Sequence, residues 1–138
     1  MEEEKMINFS QIAKGFSIYH EDKDYWAYYY CKDIKDKPEV RKYIINSYYS
    51  LQYCMHIKDR PELIKYITHP HNAYCYCKNV KDRPEIAKNI NDSYWAYRYC
   101  TEIKDRPEVS QYISYREHIA LYKSWKDKLH PQWNYISW

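Results

Sequence analysis

The chain has 138 residues, 45% of them apolar and 30% charged, with a formal net charge of +3, which is enough for one domain with a substantial core and too little charge to mark a nucleic-acid protein by itself. A single glycine, Gly15, excludes Gly-rich phosphate loops, dinucleotide fingerprints and nucleophile elbows, each of which needs several glycines for close backbone approach or positive φ. No apolar run approaches the roughly 20 residues of a membrane span, and Met1-Glu2-Glu3-Glu4-Lys5 is acidic where a signal peptide is basic and then apolar, so a cytoplasmic protein without a membrane partner is expected.

Residues 1–23 carry an apolar pattern, Met6, Ile7, Phe9, Ile12, Phe16, Ile18 and Tyr19, suited to an N-terminal cap over the open end of a stack. Beyond them one heptapeptide recurs four times, at 34–40, 57–63, 80–86 and 103–109, and its prolines Pro38, Pro61, Pro84 and Pro107 stand 23 residues apart. Such a fixed period marks a tandem array. The copies run 24–46, 47–69, 70–92 and 93–115, and each reads as two short helices.

In the first helix the apolar positions follow i, i+3, i+4, i+7, the stripe of an α-helix: Ala27, Tyr30, Cys31, Ile34; Ser50, Tyr53, Cys54, Ile57; Ala73, Tyr76, Cys77, Val80; Ala96, Tyr99, Cys100, Ile103. Asp24, Ser47 and Ser93 stand as N-caps, and Pro70 replaces them in the third copy with a φ suited to a helix start. The second helix is expected to start from Asp36, Asp59, Asp82 or Asp105 as N-cap, with Glu39, Glu62, Glu85 or Glu108 three residues later as in a capping box. Its core face is Val40, Tyr43, Ile44; Leu63, Tyr66, Ile67; Ile86, Asn89, Ile90; Val109, Tyr112, Ile113.

One copy buries about seven apolar side chains, a gross gain on the order of 10–20 kcal/mol, against roughly 1–2 kcal/mol of backbone entropy for each ordered residue. No copy folds alone. The expected fold is therefore all-α, a small α-solenoid of four 23-residue two-helix repeats with degenerate N- and C-terminal caps, forming a single domain. In the C-terminal cap, 116–138, Ile119, Tyr122, Trp125 and Leu129 keep a helical period and His130-Pro131 ends it. The aromatic tail Gln132-Trp133-Asn134-Tyr135-Ile136-Ser137-Trp138 either folds back over the last copy or presents an interaction patch.

Tyr25-Trp26-Ala27-Tyr28 and Ser93-Tyr94-Trp95-Ala96-Tyr97, with the turns Arg60-Pro61-Glu62, Arg83-Pro84-Glu85 and Arg106-Pro107-Glu108, resemble short tandem helical repeats of uncharacterised phage and bacterial proteins, over about two thirds of the chain. The first copy departs from the turn pattern with Lys37, and the tryptophan that often precedes the proline is missing. The resemblance implies a viral or mobile-element setting, with the host cytoplasm as its compartment, and carries over no catalytic residue.

Four of the five cysteines, Cys31, Cys54, Cys77 and Cys100, keep the period, which makes them one core position copied four times, reduced and buried, and not a disulfide framework. Helix neighbours about 8–10 Å apart cannot bring them to one zinc. His69, His71, Cys75 and Cys77 include zinc's preferred donor types, but Cys77 belongs to the core stripe and His71 to the row of Tyr25, Tyr48 and Tyr94, so no metal and no cofactor is expected. A Cys–His nucleophile there lacks an orienting group and an oxyanion donor, and no enzyme is expected.

Two binding functions remain. Lys35, Lys58, Lys81 and Lys104 with Lys37, Arg60, Arg83 and Arg106 could track a single-stranded nucleic acid with tyrosines stacking on bases, but each turn carries as many acids as bases, which fits a ladder of ion pairs between copies. Opposite the core stripe lie Tyr25, Tyr29, Tyr48, Gln52, His71, Tyr94 and Arg98, residue types that dominate interface energetics. They are the expected partner-binding residues, unless the tyrosines pack between copies. The expected partner is a protein, and in the phage setting a bacterial host or defence protein met by an adaptor or inhibitor, an anti-CRISPR-like role included. Self-assembly into a homo-oligomer through the ends of the stack is the structural alternative.

Overall fold

In the computed structural model of the protein, which describes residues 23–129, the helices keep the period of the sequence. The longer ones are α1 (Lys23–Asp33), α3 (Ser47–His56), α5 (Pro70–Asn79) and α7 (Ser93–Glu102). Each is followed by a one-turn helix: α2 (Pro38–Arg41), α4 (Pro61–Ile64), α6 (Pro84–Ala87) and α8 (Pro107–Ser110). Helix α9 (Arg116–Leu129) comes last, and its first residue follows that of α7 by one full period, so it stands in the register of a fifth long helix. Among the described residues there is no strand, and the fold class is all-α. The chain divides into two compact units, Met1–Thr68 and His69–Trp138. The expected N-terminal cap up to residue 22 and the aromatic tail from residue 130 lie outside the described residues.

The periodic core follows the apolar spacing except on the second helix, where Tyr43, Tyr66 and Asn89 are only half-buried and Tyr112 is exposed because the one-turn helices end before those positions. Ala27, Tyr30 and Cys31, and the matching residues of the other three copies, are buried, as are Val40 with Ile44, Leu63 with Ile67, Ile86 with Ile90 and Val109 with Ile113. Residues at the end of the stripe, Ile34, Ile57, Val80 and Ile103, are only half-buried because the long helix stops there. Its last carbonyl before the turn accepts two amides, as Tyr99 O does from Ile103 N at 2.8 Å and Lys104 N at 3.2 Å. The thiols of Cys77 and Cys100 point at the carbonyls of Arg83 and Arg106, at 3.9 and 3.8 Å. A small side chain with a weak donor thus ties the long helix to its turn. Burial pushes the thiols of Cys31, Cys77 and Cys100 up to about 11.

The caps differ from expectation by one residue. Asn46 caps α3, accepting from Tyr48 N at 2.8 Å and Tyr49 N at 3.1 Å. His69 Nδ1 caps α5, and Asp92 caps α7 through Trp95 N at 3.2 Å. Ser47 and Ser93 are the first helical residues and Asp24 lies inside α1. Their side chains serve a longer connection. Asp24 Oδ1 accepts from Ile45 N and Asn46 N at 2.6 and 2.8 Å, Ser47 Oγ from Thr68 N at 3.2 Å, and Ser93 Oγ from Ser114 N and Tyr115 N at 3.0 and 3.1 Å. Each holds the strap that leads into the next long helix.

The one-turn helices correct the capping-box expectation too. Their N-caps are Lys37, Arg60, Arg83 and Arg106, extended and without a side-chain cap bond, and proline fills the first turn, where its missing N–H costs nothing. Two of the aspartates one residue earlier, Asp36 and Asp82, act across copies instead. In unit 1, Asp36 accepts the Tyr53 hydroxyl at 2.6 Å and Arg60 Nη2 at 2.9 Å, while Arg60 Nε donates to Tyr53 Oη at 2.5 Å. In unit 2, Asp82 accepts the Tyr99 hydroxyl at 2.5 Å and Arg106 Nη2 at 3.1 Å, while Arg106 Nε donates to Tyr99 Oη at 2.6 Å. The ladder of arginines reaching a neighbouring copy's acid is present at both places, with a buried phenol at its centre. Unit 1 adds Arg41, 8% exposed, whose Nη1 donates to Asp36 at 2.7 Å. Despite partial burial, hydrogen bonds from Tyr53, Arg41 and Arg60 hold the Asp36 carboxyl below its ordinary range.

Candidate functional site

The polar faces of the long helices carry rings, and positions 25, 29 and 32 of α1 share one face by their i, i+4, i+7 spacing. In unit 1, Tyr25, Trp26, Tyr29 and Tyr48 are exposed, by 42, 42, 37 and 51%. They form a continuous set of ring contacts, mostly edge-to-face: Tyr25 meets Trp26 at 5.0 Å and 85°, Tyr29 at 4.9 Å and a tilted 54°, and Tyr49 at 6.1 Å and 88°; Tyr48 meets Tyr49 at 5.0 Å and 83°. Edge-to-face pairs of this kind hold each ring in place, so the patch is already ordered. Lys32 Nζ lies 5.7 Å from the Tyr29 ring centre. Gln52 is half-buried.

In unit 2, His71 stacks on Trp95 at 4.3 Å and 22°, and Trp95 meets Tyr74 at 5.0 Å and Tyr94 at 4.8 Å. The Arg98 guanidinium lies 5.1, 5.8 and 5.5 Å from the ring centres of Tyr74, Tyr94 and Trp95, a cation–π arrangement with three faces. Its other edge is committed: Nε and Nη2 donate to Glu102 at 2.6 and 3.2 Å, and Glu102 also takes Lys78 Nζ at 2.8 Å and the Tyr74 hydroxyl at 2.6 Å. Arg98 first, then Lys78 and Tyr74, pull the Glu102 carboxyl down to about 2. Arg98 is thus clamped, and the freely exposed members of the patch are His71 and Tyr94.

Of the seven residues expected to bind a partner, Tyr25, Tyr29 and Tyr48 share the unit 1 patch, and His71, Tyr94 and Arg98 share the unit 2 patch. Sequence reasoning placed Lys78 on this outer face but missed Trp26, Tyr49, Tyr74, Trp95 and Glu102. A signal existed for the clamp: Lys78 and Glu102 are 24 residues apart, the same interval as Asp36 and Arg60.

Cys77 is buried, Cys75 is half-buried, His69 caps a helix and His71 faces a tryptophan. Among the described residues no three His, Cys, Asp or Glu side chains are placed to hold a metal ion. A groove of about 260 Å³ in unit 1, lined by Pro38, Arg41, Lys42, Glu62, Lys65 and Tyr66 among others, is smaller than the roughly 300–1,000 Å³ of small-molecule pockets. No described helix is long and apolar enough to cross a membrane. Comparison with family models, with curated proteins and with solved structures finds no match.

Proposed function

We propose that the chain is a small α-solenoid of four 23-residue repeats that works as a non-enzymatic protein-binding module. Its setting is phage-encoded and cytoplasmic, and it acts as an adaptor or inhibitor of a bacterial host or defence protein. The observation that carries this reading is the exposed, edge-locked set Tyr25, Trp26, Tyr29 and Tyr48. Rings held in position lose little conformational freedom on binding, and an aromatic anchor commonly contributes about 2 kcal/mol or more at an interface. The turn chemistry weighs against the nucleic-acid alternative, since Arg60 and Arg106 each commit Nε to a tyrosine and Nη2 to an aspartate of the preceding copy.

The test is capture of a partner from bacterial lysate, with and without nuclease, by the wild type and by a variant with Tyr48→Ala and Tyr94→Ala. The variant should keep its unfolding curve and lose the partner. Replacing Lys58 and Lys81 by alanine should leave capture unchanged. Loss of the partner on nuclease treatment, or a lysine pair that proves essential, would replace this function with the nucleic-acid one, whose affinity falls steeply with salt.

A further inference from the structure

Among the described residues, Asp36 with Tyr53 and Asp82 with Tyr99, each pair 17 residues apart, form receptors for a guanidinium. Asp36 with Tyr53 holds Arg60, and Asp82 with Tyr99 holds Arg106, in each case with Nε on the phenol oxygen and Nη2 on the carboxylate. The arginine follows its tyrosine by seven residues, because the turn after the long helix brings the chain back. The same pair is built once more at the end of unit 2, where the Tyr122 hydroxyl donates to Asp105 Oδ1 at 2.5 Å, again 17 residues apart. Here the position seven residues after the tyrosine does not carry an arginine. Helix α9 runs on through position 129, which is leucine, about 10 Å along the axis from Tyr122 at 1.5 Å per residue. Asp105 is exposed and accepts the Tyr122 hydroxyl, with the Cys100 thiol beside the carboxylate and the Ser110 hydroxyl on the phenol oxygen, which keeps a second lone pair for a guanidinium.

We propose that Asp105 and Tyr122 receive an arginine side chain from the partner protein. The inference deepens the protein-binding function and rests on it. The chemistry is that of the two internal examples: a carboxylate and a phenol oxygen preset 2.5 Å apart offer two acceptors to one edge of a planar guanidinium. A lysine ammonium is a point charge and cannot span both in that way. Lys126, whose Nζ lies 5.2 Å from the Tyr122 ring centre, is the nearby cation that an incoming arginine must displace or tolerate.

The experiment titrates the full chain with the blocked peptides Ac-Ala-Arg-Ala-NH2 and Ac-Ala-Lys-Ala-NH2, and with free L-arginine, following the Asp105 amide and the Tyr122 ring by NMR. The arginine peptide should saturate both signals with a Kd of about 1–10 mM, at least tenfold tighter than the lysine peptide. Asp105→Asn, which keeps an acceptor for the Tyr122 hydroxyl and hence the fold, should weaken it at least tenfold, and Lys126→Ala should tighten it. Equal binding of the two peptides, or an unchanged Asp105→Asn variant, would overturn the assignment. Free arginine binding tenfold tighter than the peptide would overturn the partner protein as its source. Partner capture that survives such a failure would leave the aromatic-patch function standing, whereas a working arginine receptor in a chain that captures no protein would count against that function alone.

Discussion

Tyr99 and Asp82 are joined by a 2.5 Å hydrogen bond in which the phenol donates, and the same phenol oxygen accepts Nε of Arg106 at 2.6 Å. The tyrosine is fully buried, so its hydroxyl could not sit there without partners. Side chains from adjacent copies thus satisfy one another, and the aspartate is a cross-copy acceptor and not a helix cap.

A double-mutant cycle separates those two roles. Asp82→Ala and Arg106→Ala should each destabilise unit 2 by about 1.5–3 kcal/mol, the range for hydrogen bonds to charged groups, and the double variant should cost clearly less than their sum. Urea unfolding measures all three. Strict additivity would mean that the aspartate acts locally, as a cap would.

Ser50 occupies the place of Ala27, Ala73 and Ala96, is completely buried, and its hydroxyl has no hydrogen-bond partner. Ser50→Ala removes that unsatisfied group without changing the packing shape, so it should stabilise the protein by about 1 kcal/mol. A lower midpoint in denaturant would show that the hydroxyl is satisfied after all.

Acid should loosen the clamp of unit 2. The Glu102 carboxyl lies at about 2 in the folded chain against an ordinary 4.5, so its contribution is full above pH 4.5 and is lost as pH falls towards 2. Because the pair is partly solvent-screened, the effect is modest. Glu102→Gln should lower stability at neutral pH and flatten the acid limb between those values. An acid limb identical to the wild type's would place the acid-sensitive group elsewhere.

The parts of the fold that the sequence announced are those governed by local spacing. The i, i+3, i+4, i+7 stripe placed Tyr53, Tyr76 and Tyr99 in the core because a helix fixes which residues share a face. Tyr28, Leu51 and Tyr74 are buried too, outside that stripe; for the two tyrosines the next copy supplies the cover, Tyr28 packing on Tyr49 and Tyr74 on Trp95. The cap shift has the same origin. Asn46-Ser47 and Asp92-Ser93 each offer two cap-competent residues in a row, and what assigns the second is an amide 21 or 22 residues later. The partner-face tyrosines were visible as the stripe opposite the core, but their ring contacts and the Glu102 clamp depend on helix pairing.

No described residue has a positive φ or a cis peptide bond. The turns therefore make no demand for glycine, and among the described residues proline enters only where a helix begins. Together with cross-copy links at fixed intervals, this makes the copy number itself a variable. Excising 93–115 would set Tyr122 in the position of Tyr99, at the same separation from Asp82, and restore the phenol–carboxylate bond at the new junction. An array of this kind can grow or shrink by whole copies under recombination, changing how much aromatic surface it presents while each joint keeps its chemistry.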